Sequence, residues 1–486
     1  MGLFGHPLPD TYVTSGVERV EVIRGPASLL HGTNAMGGVM NIIYDHRPGP
    51  GPFADAGVSY GTFETQKYEL RTGYGFDNGA LSIAGNYYDT DGHRPFSSFR
   101  VANGAFRFGT SLSGSLSLSG DLALSKFKTY DPGPASNPYV DHWVNILRGS
   151  SGIALENRFA GLQGALKLYY NFGDHEIYDG FRSTDDNVGA LLYQAFRPLA
   201  DNITTAGVDF KRYGGVASNI TSGADFGRHY VQEYSAYLLT QQQLLETYTA
   251  SAGVRLNRNS VTGAEVVPQF GLAARLGETT LKANVGKGFR SPTIRELYLF
   301  PAPTPTLTAE RLWSYEAGVM HRFSERVHGE VSGYVADGSN LIRTTGAFPN
   351  LVLSNSGAFT HRGIEISANV APAQSLTLDA TYGYLDPDEQ TTANPRHKLF
   401  VGASYGVSIV TVSASVQHVS RLFGADFNQR RLPDYTLVNV RVSAPVAGGM
   451  SAYVAAENLF DSEYQIVYDY PMPGRTLFAG LRWGLE

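Results

Sequence analysis

The chain has 486 residues and contains no cysteine, few charged residues and no long uninterrupted apolar run. Without cysteine, a disulfide framework and a thiolate metal site are both excluded. Charged residues make up 17% of the chain, which is low for a soluble protein. The longest stretch free of Asp, Glu, Lys and Arg, 399–420, is interrupted by Ser, Thr, Gly and Gln too often to form a membrane-spanning helix. It predicts two strands and a turn.

Several other features are also missing. The net charge is -6 and there is no polybasic run, which argues against nucleic acid as a partner. The first twenty residues lack the basic start and apolar core of a secretory signal peptide. The 12 histidines show no pair with metal-ligand spacing, so we predict neither a metal site nor a bound cofactor.

From about residue 54 to the end, the chain alternates apolar and polar residues. The segments 115–125, 365–370 and 438–443 each place apolar residues on one face and polar residues on the other. This period of two residues predicts β-strands with two different faces. Alternation alone does not say which face meets lipid, because a soluble sandwich alternates in the same way.

The connections between the predicted strands are more specific. We count about 22 strand segments, many of about 10 residues, which suits strands that cross a membrane. Counted from Ala54, every second connection is short, and most of the others are long. The long ones are predicted at Asp89–Phe99, Lys128–Gly149, Phe181–Asp186, Gly214–Arg228, Arg290–Glu310, Leu385–Asn394, Phe423–Leu432 and Glu463–Gly474. This pattern predicts an all-β fold, an antiparallel transmembrane barrel of about 22 strands with periplasmic turns and external loops.

Residues 17–47 differ from the strands that follow. Two short apolar strands, Val20–Ile23 and Val39–Tyr44, flank a turn-rich centre that contains several glycines, each able to adopt a positive φ or to pack closely. This segment closely resembles the last part of the plug domain of TonB-dependent receptors. The residues taken as the plug motif are Arg24, Gly25, Pro26, Gly32, Gly37, Gly38 and Asn41. Two further stretches, 288–311 and 457–475, resemble other motifs of that family.

The resemblance implies two domains. Residues 1–50 would be the C-terminal part of a plug, and residues 51–486 the barrel with that plug remnant in its lumen. No signal peptide, TonB-contacting box or complete plug precedes Gly16, so we expect an N-terminally truncated member of the family. Whether this chain couples to TonB without that box is left open at this stage.

The function implied by the resemblance is active uptake of a scarce metal chelate by an outer-membrane receptor. An iron–siderophore complex is the first expectation, and cobalamin or haem the alternatives. The implied partners are outer-membrane lipid, the TonB complex of the inner membrane and the chelate, and the chain is expected to be a monomer in the bacterial outer membrane.

Candidate ligand contacts are aromatic and basic residues assigned to the external loops. They are Tyr130, Tyr139, His142, Trp143, Arg182, Tyr298, Phe300, Arg421, Tyr468 and Tyr470. For each aromatic residue the competing interpretation is a girdle at the membrane interface. For the plug motif it is folding of the plug rather than ligand contact. Four histidines in or near the predicted loops, His93, His142, His175 and His229, could touch haem or a metal complex, although solvated loop positions are the simpler interpretation.

Two rival functions are considered. His175, Asp185 and Asp186 could belong to a hydrolase on a barrel rim, but no Gly-x-Ser-x-Gly elbow accompanies them, so we do not expect an enzyme. A passive open pore is the stronger alternative, because a barrel lacking most of its plug would leave a channel.

Overall fold

The structure, a computed structural model, describes residues 16–44, 49–346, 350–389, 391–426 and 430–485. A closed antiparallel barrel of 22 strands forms most of it. The last strand pairs with the first one, from Phe478 opposite Gly61 to Leu485 opposite Ala54. Closure removes every free sheet edge, which the membrane interior requires because lipid cannot bond to exposed N–H and C=O groups. The predicted strand number and fold class are confirmed.

The elements are numbered along the chain. Before the barrel come β1 (Val17–Arg24), α1 (Ser28–His31) and β2 (Gly38–Tyr44). The first half of the barrel comprises β3 (Gly51–Gly61), β4 (Thr65–Phe76), β5 (Gly79–Thr90), β6 (Phe99–Ser113), β7 (Leu116–Tyr130), β8 (Trp143–Phe159), β9 (Leu162–Ile177), β10 (Phe181–Phe196), β11 (Asn202–Asn219), β12 (Ala224–Leu244) and β13 (Tyr248–Asn259).

The second half begins with β14 (Gly263–Leu276) and β15 (Thr279–Arg290), followed by α2 (Ile294–Tyr298) in an external loop. It continues with β16 (Glu310–Ser324), β17 (Val327–Thr345), β18 (Val352–Ala373), β19 (Leu376–Pro387), β20 (His397–Val407), β21 (Val410–Ser420), β22 (Tyr435–Pro445), β23 (Met450–Glu457) and β26 (Thr476–Leu485). Between β23 and β26 the chain forms a small external hairpin of β24 (Gln465–Val467) and β25 (Tyr470–Pro471). No helix in the described residues is long and apolar enough to cross a membrane.

The connections confirm the predicted sorting of loops. The even-numbered connections hold two to five residues each, such as 77–78 and 197–201, and they all lie at one end of the barrel. The longest ones lie at the other end: 91–98, 131–142, 291–309, 388–396, 421–434 and 458–475. The predicted strand–turn–strand at 399–420 is also confirmed as β20 and β21.

Two predicted loops were wrong. Residues 181–186 belong to β10, and the connection before them is only 178–180. Most of 214–228 belongs to β11 and β12, with a turn at 220–223. Charged and glycine residues on these strands suggested loops, but the strands extend beyond the apolar band, where polar residues occur on both faces. Arg182 and His175 therefore lie on strands rather than in loops.

The structure settles which face of each strand is apolar. Large apolar side chains such as Leu122, Leu124 and Ile366 are 42–47% exposed on the outside of the barrel, whereas Ser125 on the alternate face is only 3% exposed. A soluble sandwich would bury its leucines and expose its serines. The apolar face therefore points outward, as it must in a barrel surrounded by lipid.

A substitution on each face of β12 tests this orientation. Leu238 is 47% exposed on the outer face, and Gln241 lies on the inner face of the same strand. We expect Leu238→Arg to destabilise the barrel by about 2–4 kcal/mol, because the charge would face lipid near mid-membrane. Gln241→Arg, the control, should change the free energy of unfolding by less than about 0.5 kcal/mol. Denaturant titration of barrels refolded into lipid vesicles measures both, and equal costs would contradict the assigned orientation.

Candidate functional site

Residues 16–44, here called the lumenal segment, form the first part of the site. β1 and β2 pair antiparallel, with Arg24 opposite Gly38, and α1 lies between them. The two predicted short strands are thus confirmed. The segment contacts inward-facing side chains of the barrel, such as Arg255 and Glu365, whose sequence neighbours Leu256 and Ile366 face lipid. It therefore lies inside the barrel.

Three hydrogen bonds dock the centre of the lumenal segment onto the end of β15. The Phe289 amide donates to Ser28 Oγ (3.3 Å), and the Ser291 amide donates to Thr33 Oγ1 (2.7 Å). The Asn34 amide donates to the Phe289 carbonyl (3.2 Å). Ser28, Thr33, Phe289 and Ser291 are all less than a tenth exposed, so these bonds are shielded from water. Losing any of them would leave a buried polar group unpaired.

Two glycines make this close approach geometrically feasible. A Cβ on Gly288 would stand 3.0 Å from the Met36 backbone, so a side chain there would push the segment off the wall. Gly32 has φ +72°, which favours glycine, and a Cβ there would lie 2.8 Å from the Arg255 guanidinium. Gly32 of the plug motif therefore has a packing role in this structure.

A buried polar network supports the same wall. Arg255 Nη2 donates to Asp209 (2.5 Å) and to Ser235 Oγ (2.7 Å), and Nη1 lies 3.5 Å from the Leu29 carbonyl. The neighbouring Glu233, which is 0% exposed, pairs with Lys211 at 2.8 Å. Buried charges are stable only when they are paired and hydrogen-bonded, so this network holds both the wall and α1 in place.

The ends of the lumenal segment reach other walls. Tyr44 lies under the Arg107 guanidinium of β6, 3.7 Å from its ring centre, and Arg24 pairs with Glu365 of β18. In barrel order, β6 and β18 are ten strands apart in a barrel of 22, so they lie on nearly opposite walls. The segment therefore crosses the lumen.

A cavity of about 930 Å³ remains between the lumenal segment and β15–β18. Gly25, Pro26, Gly37 and Gly38 of the plug motif line it together with Arg24. The barrel side carries Glu316, Glu330 and Glu365, with Lys282 paired to two of these carboxylates. The remaining motif residue, Asn41, is exposed and donates to Glu21 (3.2 Å), which is a contact within the segment.

The second part of the site is an aromatic stack at the external mouth. The His142 ring lies between Tyr139 and Tyr178, at centroid distances of 4.4 and 3.8 Å, and both pairs are stacked. Tyr139 and His142 were among the predicted ligand contacts. Tyr178 was not, because the loop between β9 and β10 was predicted at 181–186, whereas it spans 178–180. Tyr178, at one end of the stack, is 43% exposed, whereas Tyr139 and His142 are half-buried.

The hairpin β24–β25 ties the loop 131–142 to its neighbours. Asp469 accepts the amide of Ser136 (3.1 Å) as well as its hydroxyl, and the Asp469 carbonyl accepts the Ala135 amide (2.7 Å). Arg94 donates to the Gly133 carbonyl (2.7 Å), and His93 bonds to the Pro471 carbonyl (2.8 Å). Three external loops that are far apart in the sequence therefore form one surface.

Tyr470 belongs to this surface. Burial raises the pKa of Tyr470, and the Asp131 carboxylate and the Tyr139 ring add to that effect. The phenol therefore stays protonated and can donate a hydrogen bond. We name Asp131, Tyr139, His142, Tyr178 and Tyr470 the mouth cluster.

Other predicted contacts lie elsewhere. Tyr130 and Trp143 are cross-strand partners that share the Lys128 ammonium, 4.9 and 5.4 Å from their ring centres, and this rim position is typical of a girdle. Arg182 is exposed and pairs with Glu176 of β9. None of these three residues joins the mouth cluster.

Tyr298 and Phe300 belong to a packed external cap. Tyr298 stacks on His229, at 4.0 Å and an interplanar angle of 3°. Phe300 packs edge-on against Phe181 at 5.7 Å, beside the buried Ile294 of α2. These aromatic residues therefore contact one another and cover the ends of β10–β12.

The motif at 288–298 explains how this cap is held. Arg290 donates to both oxygens of Glu296 (3.0 Å each) and to Glu310 (2.5 Å), while Thr293 and Glu296 form a capping box at the start of α2. Burial would raise the pKa of Glu296, but the hydrogen bonds and charge of Arg290 outweigh burial and lower it. Arg290 of this motif thus holds the external loop that contains α2 in position.

The last two predicted contacts lie on another pair of loops. The Tyr468 amide donates to the Gly424 carbonyl (3.1 Å), and Arg430 stands 4.2 Å above the Tyr468 ring. The Arg421 amide donates to Asp434 (2.9 Å), and the Arg421 side chain is exposed. Both residues lie at the mouth, and Tyr468 shares the 458–475 loop with Tyr470 of the mouth cluster.

His175 and Asp185, considered above as a hydrolase pair, do come together. His175 Nε2 lies 3.2 Å from Asp185, which also binds Arg148 at 2.6 Å. His175 is 0% and Asp185 4% exposed, so a molecule in the lumen does not reach them. Asp186 points to the other face and accepts from Tyr230 (2.6 Å). Across the described ranges, no group of three or more His, Asp or Glu residues is arranged to hold a metal ion.

The sequence and the fold of this chain are similar to those of known proteins. A family model described as "TonB dependent receptor-like, beta-barrel" matches residues 37–459. The chain belongs to this family. TonB-dependent receptors are transporters of the bacterial outer membrane and not enzymes, and they work with TonB and bind metal chelates.

Three known proteins are similar to this chain. It is 25% identical to the vitamin B12 transporter BtuB of Photobacterium profundum, over 96% of this chain and 79% of that protein. The ferric enterobactin receptor PfeA of Pseudomonas aeruginosa, in complex with enterobactin, superposes with a TM-score of 0.83 at 16% identity, covering 97% of this chain and 86% of the receptor. The copper transporter OprC gives a TM-score of 0.81 at 17% identity, covering 97% and 86%. The two structural matches establish the fold alone.

The docking of the lumenal segment can be tested with Ser28→Ala and Thr33→Val combined. Both substitutions remove an acceptor and leave a buried backbone amide of the β15 wall unpaired, at about 1–3 kcal/mol each. We expect faster amide hydrogen exchange at 28–36, measured by mass spectrometry, with the barrel strands unchanged. Asn41→Ala is the control, because Asn41 donates to Glu21 of its own segment. Unchanged exchange in the double variant would contradict the docking.

The contact between loops at the mouth should depend on Asp469. Hydrogen bonds from Ser136 lower the pKa of Asp469. A lowered folded-state pKa means that the contact is stabilised above the ordinary aspartate pKa and weakens as pH falls through the lowered value. Asp469→Ala should increase proteolysis within 131–142 at neutral pH, and Asp469→Asn, which keeps one acceptor, should have a smaller effect. Equal cleavage of all three proteins would show that Asp469 does not order the loop.

Proposed function

We propose that this TonB-dependent receptor takes up a metal chelate of low net charge, with an iron–siderophore complex of that kind as the first candidate. The open aromatic stack of the mouth cluster is the observation that carries the proposal. Tyr178, 43% exposed at one end of the stack, offers a ring on which an aromatic or amide plane of a chelate can stack, and such a contact is worth about 0.5–1.5 kcal/mol. Tyr470 adds a hydrogen-bond donor beside the stack.

The charges around the stack favour a neutral chelate over a strongly anionic one. Asp131, Asp179 and Asp469 lie within electrostatic reach of Tyr178 or Tyr470, and Arg94 and Arg430 lie within reach of Asp469, so carboxylates outnumber these cations. A tris-catecholate iron complex is trianionic, so this surface would repel it. A tris-hydroxamate iron complex and cobalamin carry little net charge and meet no such repulsion.

The relatives support a metal chelate as the substrate but do not indicate which chelate it is. The curated relative transports vitamin B12, and the solved relatives bind ferric enterobactin or transport copper. The 25% identity to the vitamin B12 transporter is the observation that keeps cobalamin as the second candidate. Haem, which is anionic, comes after both.

We further propose that residues 1–50 act as the C-terminal part of a plug and residues 51–486 as the barrel around it. The crossing of the lumen by residues 16–44 and their docking on β15 support this division. A site that captures a scarce chelate tightly also retains it, so release requires a second input of energy. A pull by TonB on the plug would supply that input by moving part of the lumenal segment away from the barrel wall.

Binding titrations test the substrate class. We expect quenching of intrinsic fluorescence by ferrichrome or cyanocobalamin at low concentration, and much weaker quenching by ferric enterobactin and haem. Tyr139→Ala combined with Tyr178→Ala should weaken binding about tenfold, which corresponds to about 1.4 kcal/mol. Tyr130→Ala, at the lipid-facing rim, is the matched control.

Uptake completes the test. The chelate that binds should restore growth of a receptor-deficient strain that produces this chain, and restoration should require TonB. Tight binding of ferric enterobactin alone would overturn the charge argument. High ion conductance in planar bilayers without chelate-dependent growth would instead support the passive pore.

A further inference from the structure

A single ammonium group lies between two aromatic rings on the inner wall of the barrel. The ammonium of Lys67, on β4, is 5.1 Å from the ring centre of Tyr88 on β5 and 4.9 Å from that of Phe478 on β26. Tyr88 is the cross-strand partner of Lys67. Phe478 reaches Lys67 across β3, where a Cβ on Gly61 would stand 2.3 Å from the Phe478 ring. We call Lys67, Tyr88 and Phe478 the lysine site.

The lysine site faces the lumen. Tyr68 and Leu477, which alternate with Lys67 and Phe478 along their strands, are 47% and 54% exposed on the lipid side. Arg71 lies on the same face of β4 as Lys67, and a Cβ on Gly16 of the lumenal segment would stand 2.7 Å from its side chain. The three side chains of the lysine site are half-buried, so part of each remains accessible from the lumen.

Lys67 differs from two cations beside it in having no carboxylate partner. Arg71 pairs with Asp55 at 3.9 Å, and Arg482 of β26 pairs with Glu69 at 3.5 Å. Lys67 forms no ion pair with a carboxylate anywhere in the described ranges, and its charge is balanced there by the two rings alone. A half-buried ammonium gains further stability from a hydrogen-bonded anion. The lysine site can therefore accept an oxyanion.

The lysine site lies below the mouth cluster on the same side of the barrel. Phe63, in the turn between β3 and β4, packs edge-on against His93 at 6.3 Å. His93 bonds to the Pro471 carbonyl, next to Tyr470 of the mouth cluster. Lys67 follows Phe63 by four residues, at most roughly 13 Å of chain. A chelate that leaves the mouth on this side would therefore meet Lys67 in the lumen.

We propose that the lysine site binds one oxyanion group, a phosphodiester or a carboxylate, of the transported chelate. The ammonium offers up to three charge-assisted hydrogen bonds to such a group. As a single cation it matches one negative charge rather than the three of a tris-catecholate complex. This role of Lys67 rests on the chelate uptake proposed above, and it narrows the substrate class to chelates of low net charge that carry one oxyanion.

Two pairs of probes differ in one oxyanion. Cyanocobalamin carries a phosphodiester-linked nucleotide that dicyanocobinamide lacks, and N-succinyl ferrioxamine B carries a carboxylate that the N-acetyl form lacks. For the scaffold that binds, titration of intrinsic fluorescence should show at least tenfold tighter binding of the member with the oxyanion. Lys67→Gln should remove that preference without weakening the binding of the other member, and Lys67→Arg, which keeps a cation, should retain most of it. Heat-dependent gel mobility shows that each variant is folded.

Lys398→Gln is the matched control, because Lys398 is an exposed cation on the inner face of β20, six strands from β4. It should leave the preference intact. A preference that survives Lys67→Gln, or equal loss in Lys398→Gln, would overturn the assignment to the lysine site.

Lysine acetylation tests the lysine site without a chelate. Phenyl phosphate, but not phenol, should slow the acetylation of Lys67 relative to that of Lys398, measured by mass spectrometry. Protection of Lys67 when neither scaffold binds would support the oxyanion site and show that the proposed chelate uptake is wrong. Equal acetylation with and without phenyl phosphate would overturn the oxyanion site itself.

Discussion

The structure depends first on the hydrogen bonds between neighbouring strands. Every backbone N–H and C=O within the membrane must find a partner in the chain, because lipid offers none. The pairing of β26 with β3 completes that requirement and makes the sheet a cylinder. Once the sheet is closed, the alternation of side chains is fixed: one residue meets lipid and the next faces the lumen. The apolar outer surface and the polar interior both follow from this closure.

The inner wall of the barrel carries charged side chains, and these must be neutralised by partners on the wall itself. Arg255 with Asp209, Glu233 with Lys211, and Arg290 with Glu296 are pairs that neutralise buried or half-buried groups on the wall. The lumenal segment uses the same wall, since Leu29 lies against Arg255 and Ser28 accepts from β15. The same residues of the barrel wall therefore stabilise the wall and hold the lumenal segment in place.

The sequence alone was enough to predict the barrel, because strand number and loop parity repeat along the whole chain. The two short strands within 17–44 were also predictable, because they flank a turn-rich centre with several glycines. The mouth cluster was only half predictable. Tyr139 and His142 lie in one loop, but Tyr178 and Tyr470 join them through barrel closure and through hairpin contacts that no local pattern encodes. Arg182 and His175 were assigned to or near loops, because the external ends of the strands lack the apolar alternation that identifies their membrane-spanning parts.

The lumenal segment is held unevenly, and this has a mechanical consequence. Against β13 and β15 it is fixed by shielded backbone hydrogen bonds and close glycine contacts. Towards β18 an exposed pair, Arg24 with Glu365, bridges the edge of a cavity of about 930 Å³. An exposed ion pair contributes about 0–1 kcal/mol, less than a set of buried hydrogen bonds. A force on β1 would therefore part the segment from β18 first and widen the existing cavity, while α1 stays docked as the pivot.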